Sequence, residues 1–142
     1  MLYLAYGSNL NLDQMAVRCP DAEPLHGIQL NHFKLVFRNV ADITEEEGAV
    51  INLGVFSITD ACEEALDRYE GFPTLYTKMY LTMDGEEYMT YTMHRDAIAP
   101  PSSGYYDCIK QGYQHWGFET DLLEAAQRNS FAMRWGLGEM RA

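Results

Sequence analysis

Near its start the chain commits to a strand that must stop abruptly and give way to a helix. Residues 1–6 are short, apolar and aromatic, the composition of a buried strand. Gly7-Ser8-Asn9 breaks it, Asn11 supplies a helix N-cap, and Gln14 three residues on completes a capping box. A strand feeding a glycine turn and then a helix aims several unsatisfied backbone N–H groups at one point, where the helix dipole favours negative charge. Gly7 lets the backbone approach a ligand closely and accommodates positive φ. Ser8 and Asn9 add side-chain donors. The turn is a candidate anion-binding site. It is not a phosphate loop, because no Gly-Lys-Ser/Thr follows, and the second and third glycines of the dinucleotide fingerprint are missing.

The remaining pattern predicts one α+β domain over residues 1–142, with strands predominating early and helices late. Phe33, Leu35 and Phe37 alternate over residues 32–37, a strand. Residues 42–47 are acidic and read as a solvated loop. Residues 48–58 hold one long or two short strands, with Gly54 as a bulge or a point of close approach. Asp60 with Glu63 reads as a second capping box, starting a helix that carries Ala61, Leu66 and Tyr69 and stops at Gly71. Segments 75–83 and 86–94 flank Asp84-Gly85, a strong hairpin turn signal. After a rigid connector at 99–103, Ser102 or Ser103 caps a helix running to about Trp116, with Gly117 closing it. Thr120 caps a last helix through about Phe131, and the two glycines of residues 134–142 suggest a fraying tail.

The formal charge of −11 disfavours recognition of nucleic-acid phosphates or of an anionic membrane surface. No apolar run approaches the roughly 20 residues of a membrane helix. Three widely spaced cysteines, Cys19, Cys62 and Cys108, suit a reducing compartment better than a disulfide framework. With Met1 leading directly into a strand, the expectation is a cytoplasmic protein without a signal peptide. The four histidines show no ligand spacing, so no metal site is expected.

One carboxylate stands out. Glu70 falls in the last turn of its predicted helix, where the macrodipole disfavours negative charge. It is followed by Gly71-Phe72-Pro73 and preceded by Tyr69, and aromatic neighbours desolvate a carboxylate and raise its pKa, as a general base requires. Tyr105, just after Pro100-Pro101, is placed for a rigid turn to aim its hydroxyl into a cleft.

Taken together, these segments resemble the γ-glutamylcyclotransferase family. The run Tyr3-Leu4-Ala5-Tyr6-Gly7-Ser8-Asn9-Leu10 is similar to the family's substrate-binding loop. Residues 66–71 followed by Tyr76 resemble its catalytic Glu-Gly segment. Residues 99–102, then Tyr105 and the helix carrying Ile109 and Gly112, resemble its third block. The resemblance implies a small mixed β-barrel surrounded by helices, with no metal and no organic cofactor. It implies a small-molecule γ-glutamyl substrate cyclised to 5-oxoproline, with Glu70 as the acid/base residue. Tyr3, Leu4, Ala5, Tyr6, Gly7, Ser8 and Asn9 would form the glutamyl-binding loop, Tyr76 would line the pocket, and Tyr105 would contact substrate. Whether the loop holds the substrate carboxylate or a developing oxyanion stays open. So does the leaving group, and a γ-glutamylamine-specific cyclase is the nearest alternative. A non-catalytic domain sensing a small carboxylate is the alternative from another class.

Overall fold

The structure, a computed structural model, describes residues 1–93, 95 and 97–134. Five strands, β1 (Leu2–Ala5), β2 (Glu23–Arg38), β3 (Val40–Ser57), β4 (Tyr76–Met83) and β5 (Glu86–Met93), form one sheet in the order β2-β3-β1-β5-β4. The short β1 lies at its centre, antiparallel to β3 and parallel to β5. Four α-helices complete the fold: α1 (Leu12–Arg18), α2 (Asp60–Glu70), α3 (Ser103–Trp116) and α4 (Asp121–Arg134). The α+β class holds. The described ladders give a mixed sheet, and closure into a barrel is not seen among them.

A buried carboxylate links two strands that share no described ladder. Asp42, 1% exposed, accepts from the backbone N–H of Ile43 at 2.8 Å and of Met93 at 2.9 Å, and from Thr92 Oγ1 at 3.1 Å. Arg38 Nε donates to its second oxygen at 2.9 Å. This ties the start of β3 to the end of β5. It also corrects the expectation of a solvated loop at 42–47, since those residues lie within β3. Their glutamates face solvent on a long hairpin. That hairpin turns tightly at Asn39 (φ 68°) and shifts register between Asn31 and Phe33, where Gly48 N–H donates to His32 Nδ1 at 3.1 Å.

Helix boundaries follow their caps. Asn11 Oδ1 accepts from Gln14 N–H at 3.2 Å, and Ser102 Oγ accepts from Tyr105 N–H at 3.3 Å. The cap of α2 is Thr59, whose Oγ1 accepts from Cys62 N–H at 3.1 Å, so Asp60 is the first helical residue rather than the cap. Glu63 binds Lys78 instead of reaching back. Gly71 (φ 66°) and Gly117 (φ 72°) end α2 and α3 in the left-handed conformation that glycine adopts without steric cost. Asp84 (φ 51°) and Gly85 (φ 79°) make the β4–β5 turn as expected. α4 runs to Arg134, three residues past its expected end, while His94 and the tail beyond Arg134 lie outside the described residues.

Helix α3 sets the geometry around the glycine turn. A Cβ on Gly112 would lie 2.7 Å from Asn11 N and from Leu10 C, so α3 rests directly on backbone there. Gly54 is likewise a point of close approach, with Trp116 and Leu10 filling the place of a side chain. Trp116 Nε1 donates to Leu10 O at 2.8 Å, and Asn11 Nδ2 to Cys108 O at 3.0 Å. These contacts hold the end of β1, the glycine turn and α3 together around an apolar core that includes Leu4, Leu10, Met15, Phe56, Leu66 and Ile109.

Candidate active site

Beyond β1 the chain forms a single 3-10 turn, Ser8–Leu10, before α1 begins at its own cap. The opening glycine turn therefore leads into α1 only through that short turn. Gly7 has φ −117°, so positive φ is not the reason for a glycine here. Space is: a Cβ would lie 3.0 Å from Ala41 Cβ and 3.5 Å from the Tyr105 hydroxyl.

This turn, the C-terminal end of α2, the start of β3 and the first turn of α3 enclose a cleft of about 200 Å³. Tyr3, Tyr6, Ser8, Asn9, Tyr76 and Tyr91 form its buried floor and walls. Gly7, Val40, Tyr69, Leu75 and Tyr105 stand at its more exposed edge, and Glu70 faces in from the end of α2. The spatial meeting of Glu70 with the Gly7 turn, which sequence order alone leaves open, is thus a property of the fold. No lysine or arginine lines the cleft among the described residues.

Glu70 Oε1 accepts from Asn9 Nδ2 at 3.2 Å. Burial pushes its carboxyl up from 4.5 to about 7, outweighing Arg18 and the Asn9 hydrogen bond, which both lower it. At neutral pH the group is poised between carboxylate and acid. Burial also drives the hydroxyls of Tyr3, Tyr6, Tyr76, Tyr91 and Tyr105 well up, so all five remain protonated donors.

Their protons are not equally free. Tyr6 donates to Tyr91 O at 2.6 Å, Tyr76 to Ala41 O at 2.5 Å, and Tyr91 to Asp67 Oδ1 at 2.5 Å. Tyr105 instead accepts from Ala41 N–H at 3.0 Å, and Tyr3 accepts from Asn9 Nδ2 at 2.8 Å. A phenol that accepts from a backbone N–H still has its own proton to give. Tyr105, at the edge of the cleft, therefore keeps its own proton available.

Residues 3–113 match the family model described as AIG2-like γ-glutamyl cyclotransferase. The chain belongs to that family. A solved structure named γ-glutamyl cyclotransferase shares 26% identity, covers 88% of this chain and 85% of its own, and superposes with a TM-score of 0.76. A human protein described as uncharacterized gives 27% identity, the same coverages and a TM-score of 0.76. An uncharacterized protein from Pyrococcus horikoshii shares the fold at 14% identity, covering 81% of this chain and 97% of its own with a TM-score of 0.55. A search of curated proteins returned no significant match.

In this cyclotransferase-family chain, seven of the nine residues expected to bind substrate line the cleft: Tyr3, Tyr6, Gly7, Ser8, Asn9, Tyr76 and Tyr105. Leu4 and Ala5 do not. Both are fully buried within β1; Leu4 O accepts from Thr90 Oγ1 at 2.7 Å, and Ala5 pairs with Gly54. Several contributors were not singled out from sequence. Ala41 holds both Tyr76 and Tyr105, accepting from the first through its C=O and donating to the second through its N–H, and Tyr91 reaches the cleft from β5. Tyr69, 44% exposed, shares a 3.0 Å hydrogen bond with Ser8 Oγ. Backbone groups and a sixth tyrosine on an alternating strand carry no motif. Tyr69 did carry a signal, since it adjoins Glu70 and reads as a core residue only if its exposure is ignored.

Proposed function

We propose that this protein is a cyclotransferase that converts a γ-glutamyl amide to 5-oxoproline and a free amine, with Glu70 as the acid/base residue. The observation that carries the reading is Glu70 facing a tyrosine-lined cleft beside the Gly7 turn, where burial raises its carboxyl toward neutral pH. A γ-glutamyl amide contains its own nucleophile, the α-amino group. The protein's task is to select the folded-back conformer and move protons. Glu70 as carboxylate takes a proton from the α-ammonium, whose reference pKa is about 8. The freed nitrogen attacks the γ-carbonyl carbon and closes a five-membered ring. Glu70 as acid gives the proton it took to the departing nitrogen as its bond to the γ-carbon breaks, and, a carboxylate again, takes the second proton from the ring nitrogen and passes it to the released amine, which leaves as its ammonium ion. Every proton taken up by the carboxylate is given back.

Neutral donors hold the anionic parts of the substrate. Tyr105 offers its hydroxyl proton, and the backbone N–H groups of the Gly7–Ser8 turn supply others, to the α-carboxylate or to the oxygen that becomes negative during ring closure. The edge of the cleft favours one branch of substrates. Val40, Leu75 and the Tyr69 ring are apolar, and among the described residues no cation lines the cleft to meet a carboxylate on the leaving group. That fits an alkylamine leaving group better than an amino acid.

The test is release of 5-oxoproline from a panel of γ-glutamylamines, γ-glutamyl dipeptides and glutathione. Turnover with preference for γ-glutamylamines supports both the reaction and the branch. Ligand-induced thermal stabilisation without turnover on any member supports a sensing domain instead.

A further inference from the structure

The cleft's proton chemistry is served by a side chain that does not line it. Arg18, the last residue of α1, places Nη1 2.7 Å from Asn9 Oδ1 and donates through Nη2 to Gln14 Oε1. Its guanidinium carbon lies 3.7 Å from the centre of the Tyr69 ring. The same ring carries the hydroxyl bonded to Ser8 Oγ. Arg18 thus contacts one side chain from the glycine turn and one from the end of α2, and those two flank Glu70.

The chemistry of the donor decides the orientation of Asn9. A guanidinium only donates, so the amide oxygen of Asn9 must face it. The amide nitrogen is then forced toward Tyr3 and Glu70, which it reaches at 2.8 Å and 3.2 Å. The flipped amide would turn its nitrogen on the guanidinium and aim its oxygen at the Glu70 carboxylate, losing the bonds to Arg18 and Glu70.

We propose that Arg18 is the positioning residue of this site, fixing the Asn9 amide and the Tyr69 ring so that Glu70 is addressed by an N–H donor and a nearby positive charge. The inference rests on the reading of Glu70 as the acid/base group. The groups facing Glu70 are Tyr3 from β1, Tyr6 just beyond it, Tyr76 from β4, Tyr91 from β5, Tyr105 from α3, and Arg18. Five are neutral phenols. Arg18 is the charged member, and it opposes the effect of burial on the carboxyl.

The experiment is a titration of the Glu70 carboxyl carbon by NMR in the wild-type chain, Arg18→Gln and Arg18→Lys, alongside pH profiles of kcat. Loss of the charge in Arg18→Gln raises the Glu70 midpoint by about half a pH unit or more. The acid limb of kcat moves upward with it, and kcat at pH 7 falls about tenfold. Arg18→Lys keeps the charge but not the planar fork, so it holds the midpoint near the wild-type value while kcat still falls. A folded Arg18→Gln whose Glu70 midpoint and kcat limb stay in place overturns the proposal. If Arg18→Gln does not fold, Arg18→Lys decides: wild-type kcat there overturns it. A wild-type protein that releases no 5-oxoproline defeats the functional reading instead and leaves the Glu70 titration to judge Arg18.

Discussion

Glu70 bears two unfavourable terms at once. It ends α2, where the helix dipole repels a negative charge, and it is largely enclosed among phenols without being fully buried. Since its folded value of about 7 lies above its ordinary 4.5, the native state binds the extra proton between those pH values. Native stability therefore has the group's full contribution below about pH 4.5 and loses it as pH rises through about 7. At roughly 1.4 kcal/mol per pKa unit the loss is on the order of 3 kcal/mol. Thermal melts of Glu70→Gln should thus exceed wild type by several degrees at pH 8, with the gap closing toward pH 4.5; equal melts at both ends contradict the burial argument. Glu70 was legible in the sequence because its place at a helix end broke a local rule. Arg18 was not, because a cation in the last turn of a helix obeys that rule and looks ordinary.

At the level of elements, turns and helix stops were readable and strand lengths were not. Asp84-Gly85, Gly71 and Gly117 announce their conformations through residue type. The extent of β2 and β3 depends on Asn39 as a tight turn and on a register shift at His32, neither of which disturbs an alternation that solvent-facing positions had already blurred. The acidic run was misread for the same reason. Glutamates on an exposed hairpin look like a loop, and Asp42 hides among them as a buried staple. Asp42→Asn should separate the two kinds of acid. It leaves the Arg38 charge unpaired and turns an amide nitrogen on donors, so urea denaturation should show a loss of about 3–5 kcal/mol. Glu47→Gln, on the exposed hairpin, should stay within about 0.5 kcal/mol. Similar losses for both would remove the staple from the account. The described ladders place the five strands in one sheet, and at the start of β3 and the end of β5 the link among the described residues includes a carboxylate.

For the whole molecule, net charge and cleft lining act in the same direction. A chain of charge −11 whose described residues place no cation in the cleft lining repels an anionic substrate over long range. Raising ionic strength from about 0.01 to 0.15 M shortens the screening length from about 30 to 8 Å. KM for a γ-glutamyl dipeptide, net charge about −1, should then fall severalfold, while KM for a γ-glutamyl alkylamine, a net-neutral zwitterion, should hardly move. Salt-independent KM values for both would show that local donors dominate over the field. No described helix is long and apolar enough to cross a membrane. The three blocks that carried the family resemblance lie far apart in sequence, and what sequence withheld was their convergence, which β1, α2 and α3 achieve through Ala41, Asn9 and the close approach at Gly112. The central claim is that a single carboxylate at that convergence moves the protons. The most direct measurement is kcat for 5-oxoproline release by Glu70→Gln on the best panel substrate, with folding verified by its melt. The account predicts a loss of about 100-fold or more at nearly unchanged KM; turnover within a few-fold of wild type would contradict it.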